Sequence, residues 1–148
     1  TMLGVNSDKE LVQYDLLKRF DTQVVGENIY LVKALYGLDN GVGGDINDNA
    51  VDEWVSPSKW PLDKLMDGKL ATQKDISSIK AIRIAMVVRS SRPIADGAPM
   101  TSVELFQDVK NGGISVPLPK VIAPEQPYQY QVYEWVIPIR NMRTPPNI

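Results

Sequence analysis

Two segments of the chain alternate their side chains over many positions, which limits the fold to one built on β-strands. They are residues 79–91, IKAIRIAMVVRSS, and residues 128–139, YQYQVYEWVIPI. Successive side chains of a strand point to opposite faces, so both patterns predict strands. In the first segment, we expect the core to be reached by every second residue, namely Ile82, Ile84, Met86 and Val88.

Shorter patterns suggest the other elements. Further strands are predicted at residues 10–16, 29–38 and 102–106, and a helix is the alternative for the first two segments. A short helical turn is expected at residues 24–29, a helix start at 56–62, and a second short helix or loop at 72–78. The glycines at 112 and 113 predict a turn, and the four prolines of residues 116–127 predict an extended segment without a regular partner.

The length of 148 residues, without an internal repeat or a low-complexity linker, predicts one domain over residues 1–148. Adjacent prolines suggest a frayed tail at residues 143–148. No apolar run is long enough to span a membrane, and no signal peptide is visible. The opening Thr1-Met2 suggests a trimmed chain, so we draw no conclusion about an anchor. The lack of cysteine favours a periplasmic or surface protein slightly.

Composition excludes several functions. Without cysteine or histidine, the chain has no disulfide, no thiol nucleophile, no Cys/His zinc site and no histidine-based triad. The net charge of −2 and the absence of a basic block argue against nucleic-acid binding. Paired carboxylates can hydrolyse glycosides, but a glycine-rich acidic loop is a poor place to raise a pKa by burial. We therefore expect no enzyme.

Residues 39–53, here called the acidic loop, form the most unusual stretch, DNGVGGDINDNAVDE. They hold five acids, three asparagines and three glycines. Gly and Asn favour turns, so a loop is predicted. Clustered carboxylates repel one another unless cations intervene, and calcium takes roughly six to eight oxygen ligands. We therefore expect a calcium site, whose ligands would be Asp39, Asp45, Asn47, Asn49, Asp52 and Glu53.

The calcium site has a simpler alternative. Asp45, Asn47 and Asn49 match positions 1, 3 and 5 of an EF-hand loop, but Ala50 stands in place of its glycine and Ser56 in place of its glutamate. The stretch is therefore not an EF-hand, and a solvated loop of Asx turns without metal stays open. Another open alternative is a carbohydrate- or surface-binding module that uses three tryptophans, although we expect these in the core: Trp54, Trp60 and Trp135.

Three blocks in order resemble the C-terminal part of PilW-type minor pilins, which are type IV pilus assembly proteins. They are ALYGLDNGVGGDINDNAVDEW (34–54), KAIRIAMVVRSS (80–91) and YQVYEWVIPIRNM (130–142). In that family, an apolar strand ends in Tyr-Gly-x-Asp before an Asp/Gly-rich loop. A second strand ends in Val-Arg-Ser and a closing strand in Ile-Pro-Leu-Arg-Asn. The type II secretion minor pseudopilin GspJ is similar, so a secretion pseudopilus is the nearest alternative.

The resemblance implies an α+β, pilin-like head with an antiparallel sheet and short helices. It also implies an N-terminal hydrophobic helix, absent from this sequence, that is processed, methylated and inserted in the inner membrane. Such proteins prime assembly or cap the pilus tip with other minor pilins and an adhesin-like protein, from the periplasm to the extracellular pilus. The family's loop is often Asp-x-Asp-Gly-Asp-Gly, and here only Asp45 matches an acid, while Asn47, Asp48, Asn49 and Ala50 depart from it.

Overall fold

The computed structural model describes residues 2–15, 22–42, 48–94, 98–110, 113–122 and 125–139. The sequence expectations for residues 45, 47, 111–112 and 143–148 lie outside these ranges. Strands predominate and two short helices accompany them, which confirms the α+β class. The strands are β1 (Met2–Val5), β2 (Leu11–Tyr14), β3 (Thr22–Gly26), β4 (Ile29–Leu38), β5 (Glu53–Val55), β6 (Ile79–Arg89), β7 (Ser102–Leu105), β8 (Ile114–Pro117) and β9 (Tyr130–Pro138).

The described strands form three sheets, with the orders β1-β2-β3, β5-β4-β6-β9 and β7-β8. The pairs β1–β2, β2–β3, β4–β5 and β7–β8 are antiparallel. By its contacts, the chain forms two compact units, one from residues 1–33 and 85–134 and the other from residues 34–84 and 135–148. This division does not decide the prediction of a single domain, which stays a prediction.

The helices lie between β5 and β6. A 3-10 turn (Pro57–Lys59) is followed by α1 (Leu62–Leu65) and α2 (Leu70–Ser77). Ser56 Oγ accepts a hydrogen bond from the Ser58 N–H at 3.3 Å, as the predicted helix start requires. Gly68 follows α1 with φ of 67°, a left-handed conformation that glycine adopts without strain.

The core of the unit containing residues 34–84 gathers around Trp60, which is only 3% exposed. Leu38 and Ile79 are buried with it. The indole Nε1 of Trp60 donates to Asp75 Oδ2 at 3.3 Å, so its polar atom is satisfied although the ring is buried. Tyr36 packs against Trp60 with ring centroids 5.8 Å apart. This core joins the β4–β5 pair to α2 and β6, and it supports the base of the acidic loop.

In the unit containing residues 85–134, four of the described side chains are completely buried: Ala85, Val87, Leu105 and Phe106. Phe106 directly follows β7 with φ of 56°, which is unusual for a bulky residue. Its N–H donates to Glu134 Oε1 at 2.7 Å. The carboxylate of Glu134 thus supplies an acceptor at the point where β7 ends.

The predicted core face of β6 is wrong. Ile82, Ile84, Met86 and Val88 are only partly buried, whereas the buried residues of the other face are Ala81, Ala85 and Val87. The sequence pattern gives that face a polar character because it carries Arg83 and Arg89. Their guanidinium groups lie over aromatic rings, 5.9 Å from the centroid of Trp54 and 4.3 Å from that of Tyr128. A cation held in this way can stay on a covered face.

Two shorter predictions are also wrong. The helical turn expected at residues 24–29 is replaced by β3, because β-branched Val24 and Val25 suit a strand that pairs with β2. The segment expected to lack a partner begins within β8, whose Val116 pairs with Val103 of β7. Both errors concern strand pairing, which the pattern of a single segment does not show.

Candidate functional site

The acidic loop leaves β4 and returns as β5. In this antiparallel pair, Leu38 lies opposite Glu53, and the Asp52 N–H donates to the Leu38 carbonyl at 2.8 Å. The Asp39 N–H donates to the Ser78 carbonyl at 2.9 Å. The two ends of the loop are therefore adjacent. Four of the six predicted calcium ligands lie in the described part: Asp39, Asn49, Asp52 and Glu53.

Asp39 is a buried carboxylate with a buried lysine beside it. Its Oδ2 accepts the Asn49 N–H at 2.9 Å and lies 4.0 Å from Lys80 Nζ. Asp39 is 2% exposed and Lys80 is 8% exposed. Because a buried charge is costly unless it is compensated, Lys80 acts as the counter-ion of Asp39. The structure brings Asp39 and Asn49 together, and the contact uses the Asn49 backbone.

Asp52 closes the base of the loop. Its Oδ2 accepts the N–H groups of Asn40 at 2.7 Å and of Gly41 at 2.6 Å. The side-chain amide of Asn40 donates to Glu53 Oε1 at 2.7 Å, and Lys59 Nζ lies 3.5 Å from the same oxygen. Gly41 has φ of 77°, which suits glycine at this turn. The loop base is therefore a hydrogen-bonded network of acidic side chains.

Asx turns also occur in the loop, and they are the feature that the alternative without metal predicts. Asn40 Oδ1 accepts the Val42 N–H at 3.1 Å, and Asp48 Oδ1 accepts the Ala50 N–H at 2.7 Å. Asn49 has φ of 65°, a left-handed conformation that asparagine tolerates. Sequence reasoning missed Asn40 and Lys80 as members of the site. The only available signals were an Asn-Gly pair after β4 and a lysine inside an apolar strand.

The described acids of the loop already have partners, which bears on what the site can bind. Among the residues that the structure describes, no group of three or more acidic side chains is placed to hold a metal ion. Asp45 and Asn47, the first two ligands of the EF-hand-like pattern, lie outside those residues. The calcium site therefore stays a prediction. Within the described part, the loop is held by hydrogen bonds and by Lys80.

The tryptophans differ in exposure. Trp60 is buried, as predicted, and Trp54 is partly buried against Gly37. Trp135 is 48% exposed, so its expected place in the core is wrong. It lies within β9, which is an edge strand of its sheet among the described strands. Trp60 is inaccessible to a sugar ring, which counts against a platform made from all three tryptophans.

Nowhere in the described ranges does a helix have both the length and the hydropathy needed to cross a membrane.

The fold and the loop define a class of protein: an α+β head with antiparallel strands and an acidic loop closed at its base. A family model described as type IV pilus-assembly protein W matches residues 11–141. The match covers most of the chain, so the chain belongs to the PilW family of type IV pilus assembly proteins. No curated protein and no solved structure matches the chain. The family gives the chain a role in pilus assembly and a pilus-associated location.

Proposed function

We propose that this chain is the head of a minor pilin that primes type IV pilus assembly or caps the pilus tip. The family match over residues 11–141 carries the proposal. Its partners would be other minor pilins and an adhesin-like tip protein. The protein would be held in the inner membrane, facing the periplasm, by a processed and methylated N-terminal helix, and would later enter the extracellular pilus. Its role would be structural, without catalysis.

The described strands support an assembly role because they leave sheet edges that another subunit can contact. In the orders of the two larger sheets, the edge strands are β1, β3, β5 and β9. An edge strand presents backbone N–H and C=O groups that are not used inside its own sheet. Contacts made through such edges and loops can be modest in area, as in many transient assemblies.

The proposal is tested by deleting the gene in its piliated host and counting surface pili by electron microscopy. We expect few or no pili and recovery when the gene is restored. An unchanged number of pili would contradict the proposal. If pili persist but secretion of a type II substrate is lost, the role is that of a secretion pseudopilin instead.

The position in the pilus is tested separately by immunogold labelling of an epitope-tagged, complemented strain. Label at one end of sheared pili is expected for a tip protein. Label distributed along the shaft would contradict the tip position while leaving a role in assembly intact. Cross-linking in the same strain, followed by mass spectrometry, should recover other minor pilins.

We also propose that calcium orders the acidic loop. Oxygens of Asp45 and Asn47 would join those of Asn49, Asp52 and Glu53, and the support for this is the density of oxygen side chains in one short loop. Lys80 already compensates Asp39, 4.0 Å away, so Asp39 would contribute least. We expect weak affinity, with a dissociation constant of about 0.1–1 mM, as in extracellular calcium modules.

Calorimetric titration with calcium tests this site. The wild type should show saturable binding, and an Asp45→Ala, Asp52→Ala variant should not. Asp63→Ala, which removes an acid in α1, is the matched control and should bind as the wild type does. If the wild type shows no binding at about 10 mM calcium, well above the expected range, the loop carries no metal.

A further inference from the structure

An open groove borders β8, the outer strand of the smallest sheet. It has a volume of about 400 Å³, which is within the range of pockets that bind ligands. Its lining includes all of β8, residues 114–117, together with Lys9, Tyr30 and Lys33, and all of these belong to one compact unit. Neighbouring side chains of a strand point to opposite faces, so a groove lined by four consecutive residues borders the edge of β8.

The hydrogen bonds beside β8 show which of its backbone groups point into the groove. β8 pairs with β7, and directly after β8 the Leu118 N–H donates to the Thr101 carbonyl at 2.9 Å. In an antiparallel pair, successive residues direct their backbone N–H and C=O groups alternately toward the partner strand and away from it. The backbone groups of Ser115 and Pro117 therefore point away from β7.

Ser115 offers both a donor and an acceptor to a further strand. Among the described strands, β8 has β7 as its only neighbour. The Pro117 carbonyl accepts the Tyr30 hydroxyl at 3.5 Å, which places a residue of the groove on the side away from β7. Pro117 itself has no N–H, and proline is tolerated where the N–H would point outward from a sheet edge. A strand entering the groove thus pairs chiefly with Ser115.

The groove is cationic, although the chain as a whole has a net charge of −2. Its described lining contains two lysines, Lys9 and Lys33, and no acid. Lys9 Nζ lies 5.0 Å from the centroid of the Tyr30 ring, and Lys33 is exposed on β4. Glu104 accepts the Ser115 hydroxyl at 2.6 Å, but it is not part of this lining. Charge complementarity therefore favours a partner with acidic side chains.

We infer that an extended, acidic segment of another protein binds this groove as a third strand beside β8. The segment exchanges backbone hydrogen bonds with Ser115, and its carboxylates lie near Lys9 and Lys33. In strand addition of this kind, main-chain hydrogen bonds give affinity and side chains give selectivity. The inference does not rest on the proposed function, since peptide titrations and pilus counts report on different properties.

The test is an NMR titration of the ¹⁵N-labelled chain with the capped peptide acetyl-Thr-Glu-Val-Glu-Val-Thr-amide. The peptide should shift the Ser115 amide signal saturably and slow its exchange with solvent, because this N–H gains an acceptor. The Val116 amide, which points to β7, is the internal reference and should change its exchange rate less. The same peptide with N-methyl groups on its four central residues cannot add as a strand, and it should bind at least about tenfold more weakly.

Lys33→Gln tests the contribution of charge, since an exposed lysine can be replaced without loss of the fold. The variant should bind the acidic peptide about threefold more weakly than the wild type does. It should bind acetyl-Thr-Gln-Val-Gln-Val-Thr-amide as the wild type does, because this peptide has no carboxylate to lose a partner. Lys74→Gln removes an exposed lysine of α2, in the other unit, and is the matched control that should leave both affinities unchanged.

Four results would overturn the inference. The first is the absence of a saturable shift at Ser115 with about 10 mM acidic peptide. The second is equal binding of the N-methylated and unmodified peptides, which would exclude strand addition. The third is an equal effect of Lys33→Gln and Lys74→Gln on the acidic peptide. The fourth is tighter binding of the oligonucleotide hexathymidylate than of the peptide, which would assign the lysines to a nucleic acid.

Discussion

Gly37 faces Trp54 across the β4–β5 pair, where the space for a side chain is already filled. A Cβ at this position would lie 2.9 Å from Trp54 Cζ3 and 2.9 Å from Val51 Cγ1. Gly37→Ala should therefore lower the free energy of unfolding by about 1–3 kcal/mol through overpacking. Urea unfolding followed by tryptophan fluorescence measures this change.

Gly4→Ala is the control for Gly37, because Gly4 is also in a strand. A Cβ at Gly4 would meet Tyr14 Cε2 at an ordinary 3.5 Å. We expect a change within about 1 kcal/mol, since alanine also restricts the unfolded chain. Equal losses in the two variants would show that crowding at Gly37 is not the cause.

A second prediction for single residues concerns the buried Lys80–Asp39 ion pair. Lys80→Met leaves the buried Asp39 carboxylate without its counter-ion, and we expect a loss of roughly 3–5 kcal/mol in the free energy of unfolding. Adding Asp39→Asn should restore part of this loss, because the uncompensated charge is then removed. Urea titration of the single and double variants gives both values.

Lys64→Met is the matched control for Lys80. Lys64 Nζ lies 3.9 Å from Asp75 Oδ2, but both side chains are nearly half exposed. A pair of this kind contributes about 0–1 kcal/mol. If Lys80→Met lowers the free energy of unfolding no more than Lys64→Met does, burial does not make the Lys80–Asp39 pair more stabilising than an exposed pair.

The acidic side chains of the site were predictable from the sequence, and their partners were not. The density of Asp and Asn in residues 39–53 pointed to Asp39, Asn49, Asp52 and Glu53 as one group. Lys80 is distant along the chain and joins them only because β6 lies beside β4 in the sheet. Strand order is a long-range property, so local composition carries little information about it.

Among the elements, α2 depends on a residue that precedes it. Lys69, at the N-cap, makes no side-chain cap hydrogen bond. Asp67 serves this end instead: its Oδ1 accepts the Lys69 N–H at 2.9 Å, and its Oδ2 accepts the hydroxyl of buried Thr72 at 3.1 Å. The backbone hydrogen bond from Lys69 is the main cause that holds the pKa of Asp67 below its ordinary value of 3.8.

This pKa gives a prediction for acid unfolding. A lowered pKa in the folded state stabilises the protein above the unfolded value, and the contribution is lost as pH falls through the folded value. Asp67→Asn should therefore destabilise the protein slightly at pH 7, and its difference from the wild type should shrink below about pH 4. Urea unfolding at several pH values measures this. A difference that is constant down to about pH 2 would contradict the role of the ionised carboxylate.

The sequence pattern of each strand predicted that the strand exists better than it predicted which of its faces is buried. Residues 29–38 form β4 as predicted, because ten consecutive residues with few polar interruptions suit a covered strand. In β6 the period of two was right, but the choice of face was wrong. The alanines of the buried face are only weakly hydrophobic, and its two arginines made the sequence pattern look polar. In the structure, these arginines lie over Trp54 and Tyr128.

For the whole molecule, composition predicts a plateau in stability. The chain has no histidine and no cysteine, so no side chain has an ordinary pKa near neutrality. The free energy of unfolding should be nearly constant from about pH 5.5 to pH 8.5. Denaturant titrations across this range measure it, and a change above about 1.4 kcal/mol, equivalent to one pKa unit, would reveal a titrating group that the described residues do not explain.

The two ends of this plateau have different causes. On the acid side, stability falls as Asp67 takes up a proton. On the alkaline side, burial raises the pKa of Tyr130 above its ordinary value of 10.0. Its contribution is present below that value and is lost as pH rises through the higher folded value, because the unfolded chain releases the proton first. Tyr130→Phe should therefore reduce the decline of the free energy of unfolding at alkaline pH.

Family membership was also accessible from the sequence, because three strand-and-loop blocks keep their order. These blocks span residues 34–142, and the family match extends from 11 to 141. Strands and turns leave a strong pattern in the residues that build them. A docking surface needs only exposed side chains of suitable chemistry, so its pattern is weak, and the partners stay a proposal.

All three tryptophans of the chain lie in the unit formed by residues 34–84 and 135–148, and the other unit has tyrosines and phenylalanines but no tryptophan. Intrinsic tryptophan emission therefore reports on one unit, whereas far-ultraviolet circular dichroism reports on the strands of both. An unfolding experiment that records the two signals together needs no added label. Coincident curves would indicate that the chain unfolds in one cooperative step, and separated curves would assign the first step to a particular unit.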